Sequence, residues 1–229
     1  MSGATGSGKS TTLAAIVDLL NEAYYLKILT IEDPVEYEHV NKRALIAHVE
    51  VGRDTPSFEH GLRQAMRQAP DVILIGELRD ADSVRMALRA ADTGHQVLAT
   101  IHSSNAAQTI ERLLAMVPNS ELAIARQQLA AALVGVISQR LTLSRGGERW
   151  PTVEILRGDS VVTKYILEDR IKDIADYIAT GQWGMQTFDK HLLQLYTQGI
   201  ISGTQALSVA TNAEALALEM RAPGKVKPG

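Results

Sequence analysis

Gly3-Ala4-Thr5-Gly6-Ser7-Gly8-Lys9-Ser10, followed by Thr11, fits the pattern G-x-x-x-x-G-K-[ST] at every fixed position. Glycines at this spacing let the main chain curl so that successive N–H groups point inward at phosphate oxygens. Leu13, Ile16, Val17 and Leu20 follow at helical spacing. The predicted helix starts near Lys9, so its positive end faces the same anion. Lys9 adds a point charge for the β- and γ-phosphates of ATP, and the Ser10 hydroxyl is the expected Mg²⁺ ligand. A flexible Gly/Ser terminus is the competing reading, but it does not explain Gly-Lys-Ser running straight into an amphipathic helix. Only Met1 and Ser2 precede Gly3. The strand from which such a loop normally hangs is therefore expected to be missing, and nucleotide affinity to be weaker than in a version extended upstream.

Outward from the loop, strand-like and helical stretches alternate. Residues 28–31 are a short apolar run ending in acids, and 45–51 read as an edge strand or hairpin arm. Residues 58–68 read as a helix stopped before Pro70. The continuous apolar run 72–75 suits a strand buried on both faces. Val84, Ala87, Leu88 and Ala91 make a helical stripe with Gly94 as its stop, and 96–101 is the next strand. This alternation predicts an α/β fold with a parallel sheet. The second half changes character. Residues 120–136 read as one long helix and 150–156 as a strand. Residues 171–179, 187–198, 204–209 and 212–220 read as short helices. The predicted organisation is a nucleotide-binding core over 1–157, a helical subdomain over 158–220 and a disordered basic tail over 221–229.

Two acidic segments sit where ligands of open α/β sheets bind, after the carboxyl ends of strands. Ile31-Glu32-Asp33-Pro34-Val35-Glu36 puts three carboxylates within five residues. Asp71-Val72-Ile73-Leu74-Ile75-Gly76-Glu77 is an apolar strand ending in an acid. Gly76 stands where many phosphate-loop enzymes carry aspartate, which leaves Glu77 to hold the Mg²⁺ shell through water. Hydrolysis needs such groups to orient or deprotonate water. His95 and His102 flank the 96–101 strand, roughly 23 Å apart if extended, too far to share a metal. His102 lies at the same edge as the acids and is a candidate sensor of the γ-phosphate. A capping or surface role is the simpler reading for His95.

The 229 residues are 45% hydrophobic and 21% charged, with net charge −3 and no cysteine. Disulfides and thiolate metal sites are thereby excluded. An acidic chain offers no global attraction for nucleic acid. Arg63, Arg67, Arg79, Arg85 and Arg89 cluster in sequence, but a solvated or intersubunit face explains them more simply. No apolar run approaches the ~20 residues of a membrane span, and the start does not resemble a signal peptide. A cytoplasmic protein is expected.

Four motifs in order resemble those of the type IV pilus and type II/IV secretion ATPases. Residues 3–11 match the Walker A motif and 31–36 the Asp box. Asp-Val-Ile-Leu-Ile-Gly-Glu-Leu-Arg-Asp at 71–80 looks like the Walker B motif. Thr93-Gly94-His95 through Thr100-Ile101-His102 looks like the His box. The resemblance runs from Gly3 to about Leu143 and more weakly through Gly184-Met185-Gln186-Thr187-Phe188-Asp189. It implies a RecA-like P-loop domain acting as a homo-hexameric ring with ATP bound between subunits. It also implies an inner-membrane pilus platform protein as partner and a peripheral place at the inner face of the cell membrane. Carried over by position, Gly3, Ala4, Thr5, Gly6, Ser7, Gly8, Lys9, Ser10 and Thr11 bind nucleotide. By the same carry-over Glu36 is the catalytic glutamate, Glu77 the Walker B acid and His102 the phosphate-contacting histidine. The choice of Glu36 over Glu32 rests on this alignment alone.

With no cysteine there is no tetracysteine zinc insertion, which favours the pilus-retraction branch. Against that, the branch's Ala-Ile-Arg-Asn-Leu-Ile-Arg-Glu stands here as Val161-Val162-Thr163-Lys164-Tyr165-Ile166-Leu167-Glu168. Both arginines are gone, which raises an accessory motor as the alternative. The family's N-terminal PAS-like domain and its trans-acting arginines are not in this chain, so weak ATPase activity is expected of it alone. The reading from a different class is a nucleotide-binding module that does not hydrolyse productively.

Overall fold

The computed structural model describes residues 1–221; of the disordered tail expected over 221–229, Arg221 instead ends a helix and the rest lies outside the described residues. Four strands form a parallel sheet: β1 (Lys27–Glu32), β2 (Leu45–Glu50), β3 (Val72–Ile75) and β4 (Gln96–Ala99). Their order is β2-β1-β3-β4. β3 is buried at all four positions, as its unbroken apolar run requires. Residues 45–51 thus supply a parallel edge strand.

Helix α1 (Lys9–Ala23) covers one face of the sheet, where Leu13 and Val17 pack on Ile28, Val72 and Leu74. The other face carries α2 (Phe58–Ala65), α3 (Ala81–Asp92), α4 (Ala106–Ala115) and α5 (Leu122–Ala132). Their apolar stripes meet Leu29, Ile31, Ile73 and Ile75 in the larger core. Helix starts are marked in sequence. The Ser57 and Asn105 side chains accept from His60 N–H and Gln108 N–H. Asp80 and Ser83 bond reciprocally as a capping box. Gly94 follows α3 at φ +95°.

The expectation of one long helix over 120–136 is corrected. Helix α5 ends at Ala132, and β5 (Gly135–Leu143) begins three residues later, antiparallel to β6 (Arg149–Arg157). Gly135 is the reason for the change. A Cβ there would lie 2.7 Å from Leu156 O, so only glycine allows the two main chains to close. The Ala- and Leu-rich composition had suggested helix, and tertiary pairing overrides it.

Helices α6 (Ser160–Leu167) and α7 (Asp173–Ala179) join the larger core through Val162, Ile166, Ile174 and Ile178. Helices α8 (Phe188–Thr197), α9 (Gly203–Val209) and α10 (Ala213–Arg221) enclose a small core of their own. Arg140 of β5 fastens this group to the hairpin. Its guanidinium lies 3.8 Å from the centre of the Phe188 ring and donates to Val209 O at 2.9 Å.

Candidate nucleotide site

The glycine loop leaves Ser2 at φ +148° for Gly3 and enters α1 at φ +83° for Gly8, both in the region that favours glycine. Space is equally decisive. A Cβ on Gly3 would lie 2.4 Å from Gln139 O, and one on Gly8 would lie 2.9 Å from Gln139 Nε2. No side chain caps α1, so its first-turn N–H groups keep their capacity for an anion. Lys9 Nζ donates to Gly3 O and Ala4 O, each at 3.0 Å. The loop is thus curled around its own lysine. Burial lowers the Lys9 pKa, while the charges of Glu77 and then Glu36 raise it.

Glu77 follows β3 directly. Its Oε2 is 2.6 Å from Arg79 Nε and its Oε1 is 3.1 Å from His102 Nε2. Arg79 also reaches Asp33 at 3.3 Å. One ion-paired cluster thus unites the acidic loop after β1, the end of β3 and the end of the β4 segment, the three places that sequence reading singled out. Glu36 sits on the exposed loop after β1. The next residue, Tyr37, touches the phosphate-loop helix, with its hydroxyl 2.8 Å from Thr11 Oγ1. Glu32, Tyr37, Gly76 and Thr100 line a narrow cleft with Ser10. Gly76 has a local cause. A Cβ there would come within 3.3 Å of Glu32 Cα and 3.5 Å of Glu32 Cγ, a tight fit against the neighbouring strand.

His95 takes the simpler role, with Nδ1 3.0 Å from Ala90 O at the end of α3. Three arginines of the cluster are engaged in ion pairs: Arg63 with Glu59, Arg79 with Glu77 and Asp33, and Arg85 with Asp82 and Glu121. Among the described residues no three His, Asp or Glu side chains form a ready-made metal site.

Gln139 was missed by the sequence reading. It is buried in β5, where its Nε2 donates to Ser7 O at 2.7 Å and its Oε1 accepts from Thr12 Oγ1 at 2.8 Å. It clamps both ends of the turn into α1 from more than 120 positions away. The only local signal was a polar pair, Ser138-Gln139, inside an apolar stretch.

Residues 1–160 match the family model described as "Type II/IV secretion system protein". The "Type IV pilus retractation ATPase PilT" of Pseudomonas aeruginosa is 46% identical over 207 residues, which cover 90% of this chain and 60% of that protein. The "Type IV pilus ATPase PilU" of the same organism is 38% identical over 221 residues, 96% of this chain and 58% of that one. Among solved structures, the crystal structure of the pilus retraction motor PilT with bound ADP superposes with a TM-score of 0.87 at 38% identity. That match covers 95% of this chain and 62% of the other. The chain thus spans about three fifths of the length of these relatives. Its RecA-like P-loop fold, its ordered motifs and the family match place it in the type II/IV secretion system protein family, to which this chain belongs.

Proposed function

We propose that this chain is the ATP-hydrolysing core of a pilus-retraction motor that works as a homo-hexamer against an inner-membrane platform protein. The observation that carries the reading is convergence. The glycine loop, Glu77, His102 and the Asp33–Glu36 loop, drawn from four separate segments, meet at one edge of the sheet. In this reading Lys9 leaves Gly3 O and Ala4 O for the β- and γ-phosphates of ATP, and α1's free N–H groups complete the cradle. Ser10 and Glu77 would hold Mg²⁺, whose chemistry is to neutralise charge on the phosphates. Glu36 takes the proton of the attacking water, and His102 contacts the γ-phosphate. Arg79 and His102 hold the Glu77 carboxylate, so nucleotide binding exchanges partners within the cluster.

The greater identity to the retraction ATPase than to PilU supports retraction over accessory work. Lack of a membrane-crossing helix among the described residues is compatible with a peripheral place on the cytoplasmic side. The test is phosphate release measured against protein concentration. Activity that rises with concentration and disappears in Lys9→Ala and Glu36→Ala supports the motor. Saturable ATP binding with no phosphate release at any concentration would instead establish the non-hydrolysing module.

A further inference from the structure

Among the described residues, the main-chain N–H groups of residues 34–39 make two hydrogen bonds, and both go to side chains of β2. Val35 N–H donates to Glu50 Oε2 and His39 N–H to His48 Nε2, each at 3.1 Å. The segment carrying Glu36 thus has no main-chain ladder of its own, and β2 fixes it on either side of Glu36. The sequence of β2 explains how. Ile46 is buried in the small core that Leu13 and Val17 of α1 build. Side chains alternate along a strand, so His48 and Glu50 share the face of Ile46, on the side of the phosphate-loop helix.

His48 is held at both ring nitrogens. Its Nδ1 lies 2.9 Å from Oγ1 of Thr30, its buried register partner on β1. A main-chain N–H can only donate, so Nε2 carries no proton, and Nδ1–H donates to the Thr30 hydroxyl. The His39 ring stacks on the His48 ring with centroids 5.8 Å apart. Between the two β2 anchors, Tyr37 reaches Thr11 of α1. Tyr37 and His39 line the narrow cleft that also contains Ser10 and Thr30.

We propose that His48 is a positioning residue for hydrolysis, holding the Glu36 segment beside the phosphate-loop helix through the bond from His39 N–H to Nε2. This rests on Glu36 acting as the base, as proposed above. A base must stand within hydrogen-bond reach of the water it deprotonates, and a displacement of about 1 Å can cost on the order of 100-fold in rate. In that reading the nucleotide itself is gripped by the glycine loop and Lys9, so the loss falls on kcat rather than on KM.

The test compares His48→Leu, which keeps the bulk and removes both nitrogens, with His48→Gln, whose Oε1 stands where Nε2 accepts. In His48→Leu, kcat for phosphate release should fall about ten- to a hundred-fold with KM for ATP within about two-fold. Amide exchange at His39 should quicken by about ten-fold or more. His48→Gln should recover both to within about three-fold, because the acceptor is restored. If His48→Leu fails to fold, His48→Asn takes its place, keeping a partner for Thr30 but stopping short of the His39 N–H. An unchanged kcat, a loss confined to KM, or a glutamine variant no better than the leucine one overturns the proposal. Glu36→Ala, run alongside, separates the two layers. Phosphate release that survives it, or is absent from the wild-type chain, sinks the base assignment. His39 exchange in the His48 variants then decides the anchor, and equal exchange in His48→Leu and wild type overturns it.

Discussion

Replacing Gln139 with methionine keeps the side chain's volume and shape while removing both polar ends, and so isolates the clamp on the phosphate loop. The main-chain bond from Gln139 N–H to Ser2 O survives the change. Two side-chain bonds do not: Nε2 to Ser7 O at 2.7 Å and Thr12 Oγ1 to Oε1 at 2.8 Å. Each is worth about 0.5–1.5 kcal/mol net, and leaving the Ser7 carbonyl without its donor adds about 1–3 kcal/mol because the site is buried. The expected loss is about 2–6 kcal/mol, a large share of the stability of a domain of this size. In thermal unfolding that corresponds to a Tm lower by roughly 4–24 °C. The loop, no longer pinned at Ser7, must be ordered at the moment of binding, so a fluorescent ATP analogue should bind about ten-fold more weakly. Urea unfolding and nucleotide titration on the same preparations read both effects. A stability change below about 0.5 kcal/mol, the level of an ordinary surface substitution, would refute the clamp.

Gly158→Ala should cost about 2–4 kcal/mol, because its Cβ would lie 1.9 Å from Leu133 O and the main chains must part. Gly146→Ala, with its nearest neighbour at 3.6 Å, is the control and should stay within about 0.5 kcal/mol in urea. Glu154 is held above the usual carboxylate range by burial. The folded state therefore keeps its proton more tightly, and stability falls as pH rises from 4.5 through the folded value. Glu154→Gln should remove that slope in unfolding curves taken across the acid range. The Met1 amine is brought down to about 6 from 8.0 by burial and by Lys9. The unfolded state binds the extra proton in this window, so stability should climb between pH 6 and 8 by about 2–3 kcal/mol. Acetylating the amine should abolish that climb.

The legible parts of this molecule were those whose causes are local. The glycine loop, the caps at Ser57, Asp80 and Asn105, and the unbroken run of β3 announce themselves within a few residues. The placement of Glu77 and His102 at one edge followed from a single rule, that a parallel sheet gathers the carboxyl ends of its strands. What stayed hidden depends on distant partners. The helix expected over 120–136 runs two residues into β5 because Ala and Leu dominate the preceding segment, while the main-chain contact that demands Gly135 comes from Leu156. Gln139 carries no motif, and its partners Ser7 and Thr12 lie at the other end of the chain. Gly76 looked like a lost aspartate, whereas its close contact with Glu32 of the neighbouring strand shows only in three dimensions. The pairing of Arg79 with Glu77 and Asp33 was likewise invisible, although all three residues were in view.

The account turns on one nucleotide being held at once by the glycine loop and by the acidic cluster. Amide hydrogen exchange with and without Mg-ATP tests this most directly. The account predicts simultaneous protection of residues 6–10 and of residues 76–79, with Lys9→Ala losing both together. Protection of the loop alone, with residues 76–79 exchanging as in the nucleotide-free chain, would contradict it.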